Sequence, residues 1–409
     1  MKLKIFGIGA AGNKAVINML ENQYVSPKDV VLINSTLKDI PEKWKEYVIR
    51  LSDDVQGCGQ ERQLAQAITC DAIENKRLNL EEIVTPDYDK AIIITSTNGG
   101  TGSGAATVIA GFLQDPGYIG IETEVIGLVG FEDESPRALR NLIEFLQDLS
   151  GDFAIQLIRN SAYLRQCRGN RSAAEQEANE EVARRIIVMS GAMLQASEQN
   201  IDDKDIAKLN NAHGYKTVEY LEIEEKIKNM DMFNDYLIEM LDNSPSMDSD
   251  SGKILRLGVM MNLSPGSQKF IDGSFDILRE RYGEPYEKYT HIEWVPEYPQ
   301  FIAIIASGMG MPSNKVKTIY NKYVEMSEKI VRENDDFFKD VRELRGFDSD
   351  TSFDTFSFGS SGGPKKSNKD SVKNALLSKY RTNISPAALM NNKKNNNSNN
   401  DEDFKRGDY

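Results

Sequence analysis

The sequence predicts an α/β protein with a doubly wound parallel sheet, followed by a second, smaller α/β unit. Three observations carry this reading. Short apolar runs alternate with helix-period segments through the first 160 residues, the pattern of βαβ units. Glycine-rich stretches stand where a run ends and a helix-period segment opens, at 7–12 and again at 98–104. A long helix-period stretch and a second alternation follow after residue 171.

The first alternation places strands at 3–6, 30–33, 91–95, 125–129 and 153–158. The long helix opens at Ser172-Ala173-Ala174-Glu175, which reads as a capping box. Ala178, Val182, Ile186, Met189 and Met193 then recur at helical spacing. The second unit carries strands at 217–223, 254–261, 291–295 and 301–307. An amphipathic helix over 312–345 closes the body, with Val316, Ile319, Tyr323, Met326, Ile330, Phe337, Val341 and Leu344 on its apolar face and Gly346 as its stop. The expected organisation is a first domain at 1–171, a connecting helix at 172–198, a second domain at 199–311, a C-terminal helix at 312–345 and a tail at 346–409.

Composition narrows the function classes. The cysteines Cys58, Cys70 and Cys167 are an odd, scattered set, which fits a reducing compartment better than a disulfide framework. No apolar run reaches the ~18 residues of a membrane span, and MKLKIFGIGAAG reads as a strand rather than a signal peptide. A cytoplasmic protein with no membrane partner is therefore expected. The only histidines are His213 and His291, which disfavours a His-based metal site or a Ser-His-Asp triad. Net charge is −14, yet residues 364–409 carry ten Lys/Arg against five Asp/Glu. An acidic body does not suit a general nucleic-acid binder. The basic tail, rich in Asn, Lys and Ser, is expected to be disordered. It either solubilises the protein or recruits a partner, and Val372, Leu376 and Tyr380 could line one helical face within it.

The glycine loops carry the chemistry. Gly7-Ile8-Gly9-Ala10-Ala11-Gly12 is a literal G-x-G-x-x-G opening a helix, the form of a dinucleotide site. That reading also needs a carboxylate closing the second strand, and Asn34-Ser35-Thr36 stands there instead, with no acid until Asp39. The loop at 98–104 again joins strand to helix but lacks the lysine of a P-loop. Its free N–H groups and helix dipole suit anionic oxygens. With Gly57-Cys58-Gly59 between them, three glycine loops at one sheet edge fit a triphosphate cradled by backbone.

These stretches resemble the tubulin/FtsZ superfamily. GGTGSG (99–104) is similar to its signature loop, GIGAAGN (7–13) to its first nucleotide loop and LINST (32–36) to its second. GCGQER (57–62) is shorter than in FtsZ and looks closer to the TubZ proteins of bacterial plasmids and phages, as does the long C-terminal helix. Asn98 departs from the small residue usual at its position, and asparagine tolerates unusual backbone angles. The resemblance implies GTP or GDP with Mg2+, and no metal-ligating side chain. It assigns the nucleotide to Gly9, Ala10, Ala11, Asn13, Asn34, Gly57, Gly59, Asn98, Gly99, Gly100, Thr101, Gly102, Ser103 and Gly104. GFEDESPRALRN (130–141) resembles the sugar-contacting loop, with Glu134 on the ribose and either Arg137 or Arg140 as its arginine. Asn160 and Asn179 match asparagines that read guanine.

The pattern N-x-D-x-x-D occurs at Asn200, Asp202 and Asp205. Without context this is a solvated turn. In the superfamily the corresponding loop enters the next subunit's nucleotide site, which implies that Asn200, Asp202 and Asp205 are catalytic there. The physics agrees, because a backbone cradle supplies no group to orient the attacking water. The resemblance covers roughly residues 1–345. It implies a GTPase that polymerises head to tail with itself and positions plasmid or phage DNA through a DNA-binding adaptor on the tail. The same polymer serving cell division or phage-genome centring is one alternative. An NAD-dependent oxidoreductase using 7–12 alone is a more distant one.

Overall fold

A computed structural model describes residues 1–149, 151–194, 201–247, 249, 252–266, 268–343 and 369–380. In chain order, β1 (Leu3–Ile8), α1 (Gly9–Glu21), β2 (Val30–Asn34), β3 (Val48–Arg50), α2 (Arg62–Glu74) and the single turn α3 (Leu80–Ile83) come first. Then follow β4 (Lys90–Ser96), α4 (Gly100–Gln114), β5 (Glu122–Val129), α5 (Pro136–Leu149), β6 (Ala154–Arg159) and α6 (Arg171–Ser190). The second unit contains α7 (Asp203–Asn210), β7 (Gly214–Ile223), α8 (Met230–Asp242), β8 (Ile254–Asn262), α9 (Ile271–Tyr282), β9 (Pro285–Glu293) and β10 (Gln300–Met309). Two helices end the described chain, α10 (Ser313–Glu343) and α11 (Lys369–Tyr380).

All ten strands form one sheet, ordered β3-β2-β1-β4-β5-β6-β7-β10-β8-β9. It is parallel from β3 to β7, and β10 then runs antiparallel between β7 and β8. Both expected units therefore share a sheet, through a narrow seam in which β6 meets β7 only at Ala154–Gly214 and Ile155–Tyr215. Strands buried on both faces read as continuous apolar runs, and Ala91, Ile92, Ile93 and Ile94 of β4 are fully buried. α1 and α6 cover one face, where Ala174, Ala178, Val182, Ile186 and Met189 pack. α2, α4 and α5 cover the other.

Several expectations are corrected. The cap of α6 is Asn170, whose Oδ1 accepts from the Ala173 N–H, not the box starting at Ser172. Positive φ angles at Arg168 and Gly169 turn the chain so that Asn170 arrives first. The same helix stops at Ser190, where Gly191 takes the left-handed conformation, so Met193 lies beyond it and 195–198 fall outside the described residues. Gly346, the expected stop of α10, also lies outside them. Within the tail expected to be disordered, Lys369–Tyr380 form α11, with Leu376, Leu377 and Tyr380 buried against the body. Its apolar face finds a partner in cis, which composition alone does not reveal.

Candidate nucleotide site

The loops at the carboxyl edge of the sheet converge on one another. Gly9 opens α1 with φ +74°, and a Cβ there would stand 2.9 Å from both Cα and N of Gly102. A Cβ on Gly100 would come 2.8 Å from backbone atoms of Gln60 and Glu61. Backbone lies on backbone here, which only glycine permits. Gly99 is different. It is the extended N-cap of α4, and a Cβ on it would meet only Ser96 Oγ, at 3.8 Å. The free N–H groups of a helix start beside open space suit an anion. Thr101 Oγ1 lies 2.7 Å from Ser35 Oγ, tying the loop after β2 to the signature loop, while the Ser103 hydroxyl donates to Gly99 O. Ala10 and Ala11 sit half-buried in the first turn of α1. In the third loop, Gly57 and Gly59 both have positive φ.

The asparagines divide into two kinds. Asn13 Oδ1, Asn34 Nδ2 and Asn160 Oδ1 are buried polar atoms without a hydrogen-bond partner, although Asn13 Nδ2 donates to Ile33 O. Such atoms are costly to leave unpaired, and all three lie at a strand end or near a helix start, at the edge where ligands bind in this kind of sheet. Asn98 is already employed. Its Oδ1 accepts from Gly130 N at 3.0 Å and Thr97 Oγ1 at 2.5 Å, bracing the loop after β5. Asn141, which the sequence reading missed, donates to both Asn98 O and Gln60 O. The available signal was an asparagine within the apolar stripe of α5.

Glu134 folds back on its own loop, its Oε1 accepting from Phe131 N at 3.2 Å. Burial raises its carboxyl above the usual range. Arg137 and Arg140 are both exposed, paired with Glu61 and Glu144. They line a cavity of about 260 Å³ with Gln60–Leu64. Asn179 is half-buried on α6, about two turns from its start.

The acids lie elsewhere. Asp202 is the N-cap of α7, its Oδ1 accepting from Asp205 N at 2.8 Å. Asp205 accepts from Lys208 Nζ at 3.2 Å. Asn200 falls outside the described residues. The far end of α7 meets the amino end of β4, where Lys90 Nζ reaches Asn210 O at 2.6 Å. The signature loop leaves the opposite end of that strand, about 20 Å away. α6 spans the same gap. It begins beside the loop after β5, where Arg171 pairs with Asp133, and finishes where Asn210 donates to Met189 O. The structure thus gathers the glycine loops at one edge of the sheet and ends α7, the helix of Asp202 and Asp205, at the other. Among the described residues, no cluster of three or more His, Cys, Asp or Glu could hold a metal, and no helix is long and apolar enough to cross a membrane.

A parallel sheet extended through an antiparallel second unit, with one helix carrying the chain from its loop edge to its opposite edge, is the tubulin/FtsZ fold. CetZ2 of Haloferax volcanii, solved as a GTPγS-bound protofilament, matches with a TM-score of 0.66 over 81% of this chain and 99% of that one, at 18% identity. TubZ of Bacillus thuringiensis serovar israelensis, solved as a GTPγS-form protofilament, matches at 0.64 over 84% and 95%, with 14% identity. In sequence the chain is 25% identical over 238 residues to the tubulin-like protein CetZ1 of Haloferax volcanii. It is 24% identical over 184 residues to the cell division protein FtsZ of Aquifex aeolicus. These matches span 54% and 44% of this chain, and 59% and 47% of the two relatives, so the chain covers about half the length of the curated relatives it matches. No protein-family model matches.

Proposed function

We propose that the protein binds GTP, stacks head to tail and hydrolyses GTP where two copies meet. The observation that supports this best is the separation of cradle and acids. The glycine loops occupy one edge of the sheet, and α7, which Asp202 caps and which carries Asp205, ends at the other, where Lys90 holds Asn210 O. One copy's acids therefore complete the site of the next. Gly99 and the first turn of α4 would face the terminal phosphates, and Asn160 Oδ1 would accept from the guanine N–H edge. Mg2+, bound through the phosphates with its own waters, needs no protein cage and would neutralise charge on them. Asp205 or Asp202 would orient the attacking water. Contacts between unlike faces leave an open filament unless the rotation happens to close.

The finer reading is a TubZ-like role, in which filaments position plasmid or phage DNA through a DNA-bound adaptor held by the basic tail, in the cytoplasm. The acidic body and basic tail support it. Division and genome centring would use the same polymer, and the likeness to CetZ and FtsZ keeps them in play. Pelleting the purified protein with GTP, GDP or neither tests the central claim. Co-purifying NAD, or no GTP-dependent pellet, would overturn it. Mixing a cradle variant with an Asp205→Ala variant should restore hydrolysis that neither shows alone.

A further inference from the structure

α7 is eight residues long, too short to hold itself together by its own hydrogen bonds, and its last carbonyls need outside donors. Asn211 N–H satisfies Ala207 O at 2.9 Å and also reaches Lys208 O at 3.2 Å, and each of the last three carbonyls has a side-chain donor from a different strand. Lys208 O accepts from Arg256 Nη1 of β8 at 2.7 Å, Leu209 O from Ser307 Oγ of β10 at 2.7 Å, and Asn210 O from Lys90 Nζ of β4 at 2.6 Å. Two of the three donors are cations, the sign that a helix C-terminus favours. Leu209 also packs so closely on β8 that a Cβ on Gly258 would lie 2.2 Å from its Cδ2.

Behind these contacts lies a charge network with no exposure at all. Lys90 and Lys216 share Glu124, at 2.9 and 3.0 Å, and Lys216 also reaches Asn210 Oδ1 at 2.6 Å. Burial pushes the Glu124 carboxyl up, but the two lysines outweigh it and hold the group at about 2. Apolar side chains would join the two units with less desolvation cost, so stability alone does not account for the network. On one side it holds the end of α7 opposite the acids, at Asn210 and Asn211, and on the other Glu124 accepts from Gln156 of β6 at 2.6 Å. Lys90 is also the root of the strand that feeds the signature loop.

We infer that Lys90, Arg256 and Ser307 form a socket that sets the position of Asp202 and Asp205 for the neighbouring copy, and are positioning residues for hydrolysis. The inference rests on the proposed function. The primary test is the double variant Arg256→Gln/Ser307→Ala, which leaves no buried charge unpaired, with Lys90→Met as a second probe. Hydrogen exchange of the α7 amides (residues 203–210) should quicken by ~10-fold or more. GTP turnover in pelleted filaments should fall ~10-fold, while nucleotide affinity stays within about twofold of wild type. Arg256→Lys, which keeps a donor and the charge, should recover most of both losses. Unchanged exchange in α7 would overturn the socket, as would exchange that quickens equally throughout β8 and β10. Faster α7 exchange with normal turnover, where Asp205→Ala does abolish turnover, would overturn the positioning role. If Asp205→Ala leaves turnover intact, the functional reading fails instead, and exchange alone still decides the socket.

Discussion

Glycines at the loop edge answer two different demands. A Cβ on Gly12 would lie 2.1 Å from Ile94 O, and one on Gly104 would lie 2.4 Å from Arg62 O. These positions hold helices against their neighbours. Gly102 belongs with them, since a Cβ there would stand 2.6 Å from Thr95 Oγ1, so Gly102→Val would disturb folding as well as binding. Gly99→Val isolates the ligand, because its side chain meets no protein atom closely. We expect guanine-nucleotide affinity to fall at least ~10-fold with the melting temperature nearly unchanged, checked by isothermal titration and thermal melts. Normal affinity would mean that phosphates approach elsewhere. Glu219 offers a pH test. Burial raises its carboxyl to about 7, against the pull of Arg185, while Ser244 and Ser246 donate to it. A folded pKa above the unfolded one means stability that is whole below about pH 4.5 and is lost as pH rises through about 7. Glu219→Gln keeps the acceptor and removes the titration, so its melting temperature should decline less than wild type's between about pH 5 and 8. Parallel declines would refute this.

At the scale of elements, α7 separates capping from chemistry. Asp202→Ala removes both the N-cap, worth ~0.5–2 kcal/mol, and a carboxylate. Asp202→Asn keeps the cap acceptor and loses only the charge. We expect the asparagine variant to retain α7 and to polymerise, with turnover lowered on the ~10²–10⁴ scale of a lost acid/base group. Wild-type turnover in that variant would reduce Asp202 to a cap. α11 is the second informative element. Gly111 sits inside α4 at a cost of ~1 kcal/mol relative to alanine, and a Cβ there would lie 2.2 Å from Tyr380 Oη. Gly117 makes the same allowance for Val372, and Lys373 Nζ caps Ile73 O near the end of α2. Gly111→Val should therefore release α11, seen as faster proteolysis between residues 364 and 380. Unchanged cleavage would show that the notch does not hold the helix.

For the whole molecule, the decisive property is polarity, with the glycine loops at one edge of the sheet and the end of α7 at the other. α11 touches neither, resting on α2 and α4. Truncation after Gly363 should thus lower the melting temperature, because apolar surface is bared, while leaving GTP-dependent pelleting and hydrolysis intact. If the truncated chain melts normally but fails to pellet, α11 belongs to the filament contact and not to the monomer's packing. Recruitment of a partner through the apolar face of α11 would first require it to leave α2 and α4, so adaptor binding should be tighter in the Gly111→Val variant.

What the sequence determined by itself was local or periodic. Each expected strand lies within an observed one or overlaps it, because buried parallel strands must be unbroken apolar runs. The glycine loops were legible because close backbone approach removes side chains visibly. Asn13, Asn34 and Asn160 could be named only through the resemblance of their loops to the tubulin/FtsZ superfamily. Only the tertiary structure decided the rest. Asn141 bridges loops 43 and 81 residues away, Lys90 holds a carbonyl 120 residues on, and Lys373 reaches across 300. β3 is three residues paired only with β2, too short for a periodic signal. The placing of the end of α7 at the far edge likewise follows from the length of α6 and where it ends. Periodicity shows which face of an element is buried, but not which distant element buries it.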